Sequence, residues 1–123
     1  MQIMWCWRCQ RDIPMLNADE ARQVSAQQNR GLVTLDMESV RRIYAKYAGD
    51  SDGLHERLEF EREWGGVLRE YQRITGFPEK QPMALYHHQV DQYGPPCRSC
   101  GKPLRTPEAK LCGACMMLVG IGE

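Results

Sequence analysis

The sequence predicts a mainly α-helical protein of three to four helices, with a small cysteine module at each end. All six cysteines fall into Cys-x-x-Cys pairs, and apolar residues in the middle of the chain recur at helical spacing. The chain has 123 residues, which is about one domain. We therefore expect a single domain, 1–123, made of an N-terminal knuckle (1–16), a helical middle (17–94) and a C-terminal ribbon (95–123).

The N-terminal knuckle is predicted from Cys6 and Cys9. A basic residue and then an aliphatic residue follow the second cysteine, as they also do in the later pair that begins at Cys97. Three interpretations are open: a second zinc site completed by histidine, a redox-active dithiol, or thiols packed in the core beside the neighbouring tryptophans, Trp5 and Trp7. A dithiol of the thioredoxin type needs a strand that leads into a helix, and no long strand is predicted before Cys6.

His87 and His88 are the histidines that could complete a second zinc site. His88 stands nine positions before Cys97, so a short tether could bring either histidine to a cysteine pair. Neutral imidazole is a good zinc ligand. The sequence therefore offers a candidate site made of Cys6, Cys9 and one or both histidines.

Four helical segments are predicted between the cysteine modules. Asn17 is a capping residue, acidic residues follow it in the first helical turn, and Gly31 is placed to end the first helix. Apolar spacing and glycine or proline breaks indicate the others, so that the segments are 17–29, 37–48, 54–75 and 82–93. Gly65 and Gly66 interrupt the third helix and predict a kink or close packing there.

The C-terminal module carries the pattern Cys-x2-Cys-x11-Cys-x2-Cys, formed by Cys97, Cys100, Cys112 and Cys115. Four thiolates can surround one tetrahedral ion and leave no open position, which favours one structural Zn²⁺, with iron as the competing metal. The segment 96–120 resembles a zinc ribbon of the rubredoxin-like kind, in which two cysteine knuckles hold one zinc. The apolar segment 116–121 predicts a last ribbon strand, packing on the helices, or an exposed docking patch.

Composition excludes several classes of function. Sixteen basic and sixteen acidic residues give a net charge of zero, which disfavours binding to a nucleic-acid backbone. No apolar run approaches the roughly 20 residues that span a bilayer, and the first residues lack the pattern of a signal peptide, so we expect a cytoplasmic protein. Known catalytic motifs are absent, and an enzyme would require an open zinc site at His87 or His88.

A second resemblance extends along the whole chain. The sequences MWCWRC, ITGF, LYHH and YGPPCRSCGKPLRTPEAKLCGAC are similar to those of a group of small bacterial zinc-ribbon proteins of unsettled function. Members of that type resemble the immunity proteins of polymorphic toxin systems. The resemblance implies a non-enzymatic protein that binds and blocks one secreted toxin domain.

The sequence also suggests which residues would contact a partner. The run 56–63 mixes acids with arginines and predicts a solvated, ion-paired face on the third helix, which could meet a basic partner. Trp64 and Trp7 are candidate exposed anchors, because aromatic residues are enriched at binding hot spots. The alternative function is a regulatory, nucleic-acid-binding ribbon with a basic face formed by Arg98, Lys102, Arg105 and Lys110.

Overall fold

The computed structural model describes residues 1–119, so residues 120 and 121 of the predicted last strand, 116–121, lie outside the described residues. The elements in order are β1 (Gln2–Cys6), β2 (Arg11–Met15), α1 (Ala18–Ser25), α2 (Gly31–Thr34), α3 (Met37–Lys46), α4 (Ser51–Phe60), a π-helical turn (Glu61–Gly65), α5 (Gly66–Thr75), α6 (Ala84–His87) and a 3-10 turn (Val90–Gln92). The fold is therefore mixed, and the mainly α class omits its sheet.

The chain divides into two compact units. The cysteine unit comprises Met1–Ala21 and the described residues from Met83 onward, and the helical unit comprises Arg22–Pro82. Both cysteine-bearing ends of the sequence thus belong to one unit. None of the helices among residues 1–119 is long and apolar enough to cross a membrane.

An antiparallel hairpin begins the cysteine unit. β1 pairs with β2 in a register that places Gln2 opposite Met15 and Cys6 opposite Arg11. A five-residue strand, β1, thus precedes Cys6, but it leads into β2 and not into the helix that a thioredoxin-type dithiol requires. Apolar residues occupy both faces of β1, so the strand lacks the period-two alternation by which a half-buried strand is recognised.

The predicted fourth helix, 82–93, is mostly absent. α6 ends at His87. Gln89 then forms an isolated parallel bridge with Leu16, the residue that follows β2. The Leu16 N–H donates to the His88 carbonyl at 2.9 Å, and the Val90 N–H donates to the Leu16 carbonyl at 2.8 Å. These two bonds replace helical bonds, so a long-range pairing overrides the local helical period.

Two short hairpins complete the described part of the cysteine unit. One is closed by a bridge between Pro96 and Pro103, and the other by a bridge between Leu111 and Leu118. Leu104 and Cys112 are buried, whereas Met116, Met117, Leu118 and Val119 are exposed. The segment 117–119 therefore pairs with residues 110–112 and keeps an apolar exposed surface.

Asn17 caps the first helix as predicted. The Glu20 N–H donates to Asn17 Oδ1 at 2.9 Å, and the Asn17 N–H donates to Glu20 Oε1 at 3.0 Å, which is a reciprocal capping box. α1 nevertheless ends at Ser25 rather than 29, because Asn29 adopts a left-handed φ of 63° in the following turn. Gly31 begins α2, and its predicted role as a helix stop is wrong.

A π-helical turn, Glu61–Gly65, joins α4 to α5 where the sequence predicts a kink or close packing at Gly65 and Gly66, and the close packing is confirmed. This turn lets other backbone approach closely. A Cβ on Gly31 would lie 1.5 Å from the Glu61 carbonyl oxygen, and a Cβ on Gly66 would lie 2.6 Å from the Gln27 carbonyl oxygen. The glycines are therefore needed where α2 and the preceding turn pack on the π-helical turn.

Replacement of Gly31 by alanine should strongly destabilise the helical unit. The methyl group would overlap a backbone oxygen that cannot rotate away, so we expect a loss of about 3 kcal/mol or more in the free energy of unfolding. Urea denaturation followed by circular dichroism measures this loss. Val33→Ala is the control, because Val33 lies on the same helix and is 78% exposed; equal effects of the two substitutions would contradict the packing argument.

Candidate functional site

The structure brings the eight predicted metal ligands together in two clusters. In the first cluster, ligand atoms of Cys6, Cys9, His87 and His88 all lie within 4.8 Å of one another. The Cys9 Sγ is 3.3 Å from the His88 Nε2, and the two imidazole rings meet edge to face with their centroids 4.8 Å apart. Two thiols and two imidazoles thus surround one small volume.

Two separate elements assemble this first cluster. Cys6 is the last residue of β1, and Cys9 lies in the turn before β2. His87 ends α6, and the backbone pairing of His88 with Leu16 holds the histidine pair beside the hairpin. His88 is fully buried, whereas Cys9 is exposed. The bridge that ends the predicted fourth helix is therefore the feature that builds this site.

The second cluster joins the four C-terminal cysteines, Cys97, Cys100, Cys112 and Cys115, again with all sulfur atoms within 4.8 Å. The Cys97 Sγ is 3.5 Å from the Cys115 Sγ, and the Cys100 Sγ is 3.5 Å from the Cys112 Sγ. A tetrahedral ion with metal–sulfur bonds of about 2.3 Å would separate its sulfur ligands by about 3.8 Å. The spacing of the sulfurs is close to that expected around one ion.

The three Cys-x-x-Cys pairs share one backbone conformation. In each, the N–H of the residue after the second cysteine donates to the carbonyl of the first cysteine: Gln10 to Cys6 at 2.7 Å, Gly101 to Cys97 at 2.8 Å and Met116 to Cys112 at 3.0 Å. Those three donors have left-handed φ values of 54°, 81° and 65°. The first pair is therefore folded like the two pairs of the four-cysteine cluster.

Local backbone dipoles prepare the second cluster for a cation. Backbone N–H groups of Cys115 and Ala114 lower the pKa of the Cys112 thiol to about 6. Those of Cys100 and Ser99 also lower the pKa of Cys97. At Cys100 the Lys102 N–H acts in the same direction, but burial and the neighbouring thiols outweigh it and raise the pKa to about 11. The thiolate form that binds metal is thus favoured at two of the four positions.

Tyr93 supports the first cluster from outside. Its hydroxyl donates to the His87 carbonyl at 2.6 Å and lies 3.5 Å from the Cys6 Sγ. Burial, followed by the Cys6 contact, raises the pKa of Tyr93 well above its usual value, so the hydroxyl keeps its proton. Tyr93 is the last residue of the predicted helix 82–93, and no local sequence signal marks this contact.

The Tyr93→Phe variant should bind metal more weakly at the first cluster. It keeps the ring but loses the hydroxyl that holds the His87 backbone, and residues behind metal ligands typically contribute about 10-fold to 100-fold in affinity. Competition with a chromophoric zinc chelator measures both sites, and we expect the second to be unchanged. Tyr86→Phe is the control, since Tyr86 lies on α6 and is 56% exposed; unaltered affinity in Tyr93→Phe would refute this role.

The predicted contact residues are less exposed than expected. Trp7 and Trp64 are both half-buried. The Trp7 Nε1 donates to the Pro103 carbonyl at 2.8 Å, and the Arg105 guanidinium lies 4.9 Å from the centre of its ring. Trp7 therefore joins the first hairpin to the C-terminal hairpins within the cysteine unit.

Comparison with known proteins gives no relative: no family model, curated protein or solved structure matches the chain.

Proposed function

We propose that this protein is a zinc-stabilised, non-enzymatic module that binds another protein. The observation that carries the proposal is the pair of four-ligand clusters in the cysteine unit. Zinc favours tetrahedral sites of cysteine and histidine, and both donor sets, four thiols and two thiols with two imidazoles, are of that kind. The shared knuckle conformation supports a zinc ribbon at the C-terminal cluster and a second zinc at the first.

A catalytic role receives little support from these sites. A catalytic zinc keeps one position open for water or substrate, whereas each cluster offers four protein ligands. The buried side chains of His88 and Cys6 are typical of a structural centre. Zinc at these positions would fix the hairpins and leave recognition to the surrounding surface.

The kind of partner that we propose is a toxin domain. This step comes from the likeness to small bacterial zinc-ribbon and immunity proteins, and it implies a complex formed in the cytoplasm. A surface that bound zinc holds rigid suits such inhibition, because a preorganised binder loses little conformational entropy on association.

Co-expression with the products of neighbouring genes tests this function. We expect one of them to co-purify as a stable complex and to lose its toxicity when this protein is present. The unrelated products from the same region provide the matched controls. If none of the neighbours binds, the proposal of a toxin inhibitor is refuted.

The alternative, a nucleic-acid-binding ribbon, has weaker support. Two of its four basic residues are engaged with rings, since the Lys102 ammonium lies 3.9 Å from the centre of the Trp5 ring and Arg105 lies over Trp7. Binding through phosphate contacts would be strongest at low salt. A mobility shift with DNA or RNA at low salt would favour this alternative over the protein-binding function.

A further inference from the structure

A cavity of about 830 Å³ opens within the cysteine unit. One side is formed by four consecutive residues of β1, from Gln2 to Trp5, and the other by the segments 94–96 and 101–103. Its volume lies in the range of sites that enclose a ligand of several hundred daltons. We call this cavity the β1 groove.

The β1 groove follows the edge of a strand. Successive side chains of a strand point to opposite faces, so four consecutive residues can line one cavity where it runs along the backbone edge. Asp12 of β2, which pairs with Trp5, also lines the cavity, so the cavity extends over the face that these two side chains share. β1 pairs with β2 on one side, and within residues 1–119 this sheet has two strands. An extended peptide can therefore add beside β1 as a third strand, a common mode of peptide recognition.

Trp5 supplies a polar group that the described protein does not satisfy. The Trp5 Nε1 is buried, and no acceptor among residues 1–119 receives its hydrogen bond. A buried donor without an acceptor costs about 1–3 kcal/mol. Because Trp5 lines the groove, a turn of its ring would bring this buried donor to a carbonyl oxygen of a bound peptide.

The charge of the groove selects the peptide. Asp12 and Asp91 line it, and neither has an ion-pair partner among the described residues. Lys102, the cation in the described lining, is positioned over the Trp5 ring. Two carboxylates and one ammonium leave the groove with a net negative charge, which complements a lysine or arginine side chain.

We propose that the β1 groove binds an extended segment of the partner protein that carries a basic side chain. The segment lies along β1, and its cation pairs with Asp12 and Asp91. Its backbone accepts a hydrogen bond from the Trp5 indole once the ring has turned toward the groove. This inference rests on the proposed protein-binding function and assigns it to a surface other than the acidic third helix.

A displayed library of random seven-residue peptides, selected on the zinc-loaded full chain, tests the groove. We expect enrichment of peptides with a central lysine or arginine. Amide and indole NMR spectra with a selected synthetic peptide should show the Trp5 indole resonance shifting. Trp5→Phe and the double variant D12N/D91N should each raise the Kd for the selected peptide by about tenfold or more. Each variant loses about one hydrogen bond that is charge-assisted or buried.

Glu108→Gln is the matched control, since Glu108 is an exposed acid of the same unit outside the groove lining. It should bind like the wild type, and every variant is checked first for zinc content. Failure to enrich basic peptides, or equal binding by the groove variants, overturns the inference. A toxin complex that survives both groove variants also overturns it, while leaving the proposed function intact.

Discussion

Replacing the exposed Cys9 by serine should remove one of the two zinc ions that we propose and sharply destabilise the cysteine unit. An exposed thiol with no ligand role would tolerate this change within about 0.5 kcal/mol. A structural zinc, in contrast, contributes an apparent binding free energy of about 10 kcal/mol, comparable to the roughly 5–15 kcal/mol that stabilises a whole domain. Cys97→Ser, in the other cluster, should have a similar effect.

Native mass spectrometry gives the zinc content, and thermal melting gives the stability. We expect two ions in the wild type, one in each cysteine variant, and two in the control Ser99→Ala, which alters an exposed non-ligand within a knuckle. Cys9 distinguishes the interpretations better than Cys6, because the fully buried Cys6 would destabilise the core even as a simple packed thiol. One ion in both the wild type and Cys9→Ser, with an unchanged melt, would show that the first cluster binds no metal.

The composition of the two clusters could be predicted from the sequence, because cysteine spacing is a local signal. The C-terminal set needs only its own pairs and the turn between them. The backbone conformation of the knuckles is harder to predict from the sequence. Gly101 marks a left-handed position, but Gln10 and Met116 adopt the same conformation without being glycine. There the hairpin geometry overrides the residue preference.

The histidine side of the first cluster depends on contacts between distant parts of the sequence. Residues 82–93 have a helical period, and the local pattern gives no sign that Leu16 will pair with His88 and stop the helix. The same limitation hides the contact of Tyr93 with Cys6, which are 87 residues apart. Candidate ligands can thus be predicted from residue type, whereas the residues that hold them require the fold.

Glu61 shows the same limitation in the helical unit. The alternating charges of 56–63 indicated a solvated face, yet Glu61 is only 4% exposed. It accepts a hydrogen bond from Arg57 at 2.9 Å and pairs with Arg69, whose guanidinium also donates to the Gly31 carbonyl at 2.7 Å. The π-helical turn that begins at Glu61 therefore carries a buried carboxylate that links α2, α4 and α5.

Arg69→Ala should lower the free energy of unfolding of the helical unit by about 3 kcal/mol, because it leaves a buried carboxylate with one of its two cations. Arg73→Ala is the matched control on the same helix: the Arg73 side chain is 64% exposed, so its pair with Glu70 should contribute less than about 1 kcal/mol. Urea denaturation followed by circular dichroism compares the two variants.

A double-mutant cycle separates buried charge from lost packing. In the Arg69→Ala background, Glu61→Gln removes the charge that lacks its second partner, so we expect it to restore part of the lost stability. In the wild-type background the same substitution breaks both ion pairs and should destabilise. Purely additive effects would mean that Arg69 stabilises the unit through its contacts with Gly31 and Thr34 rather than through the buried carboxylate.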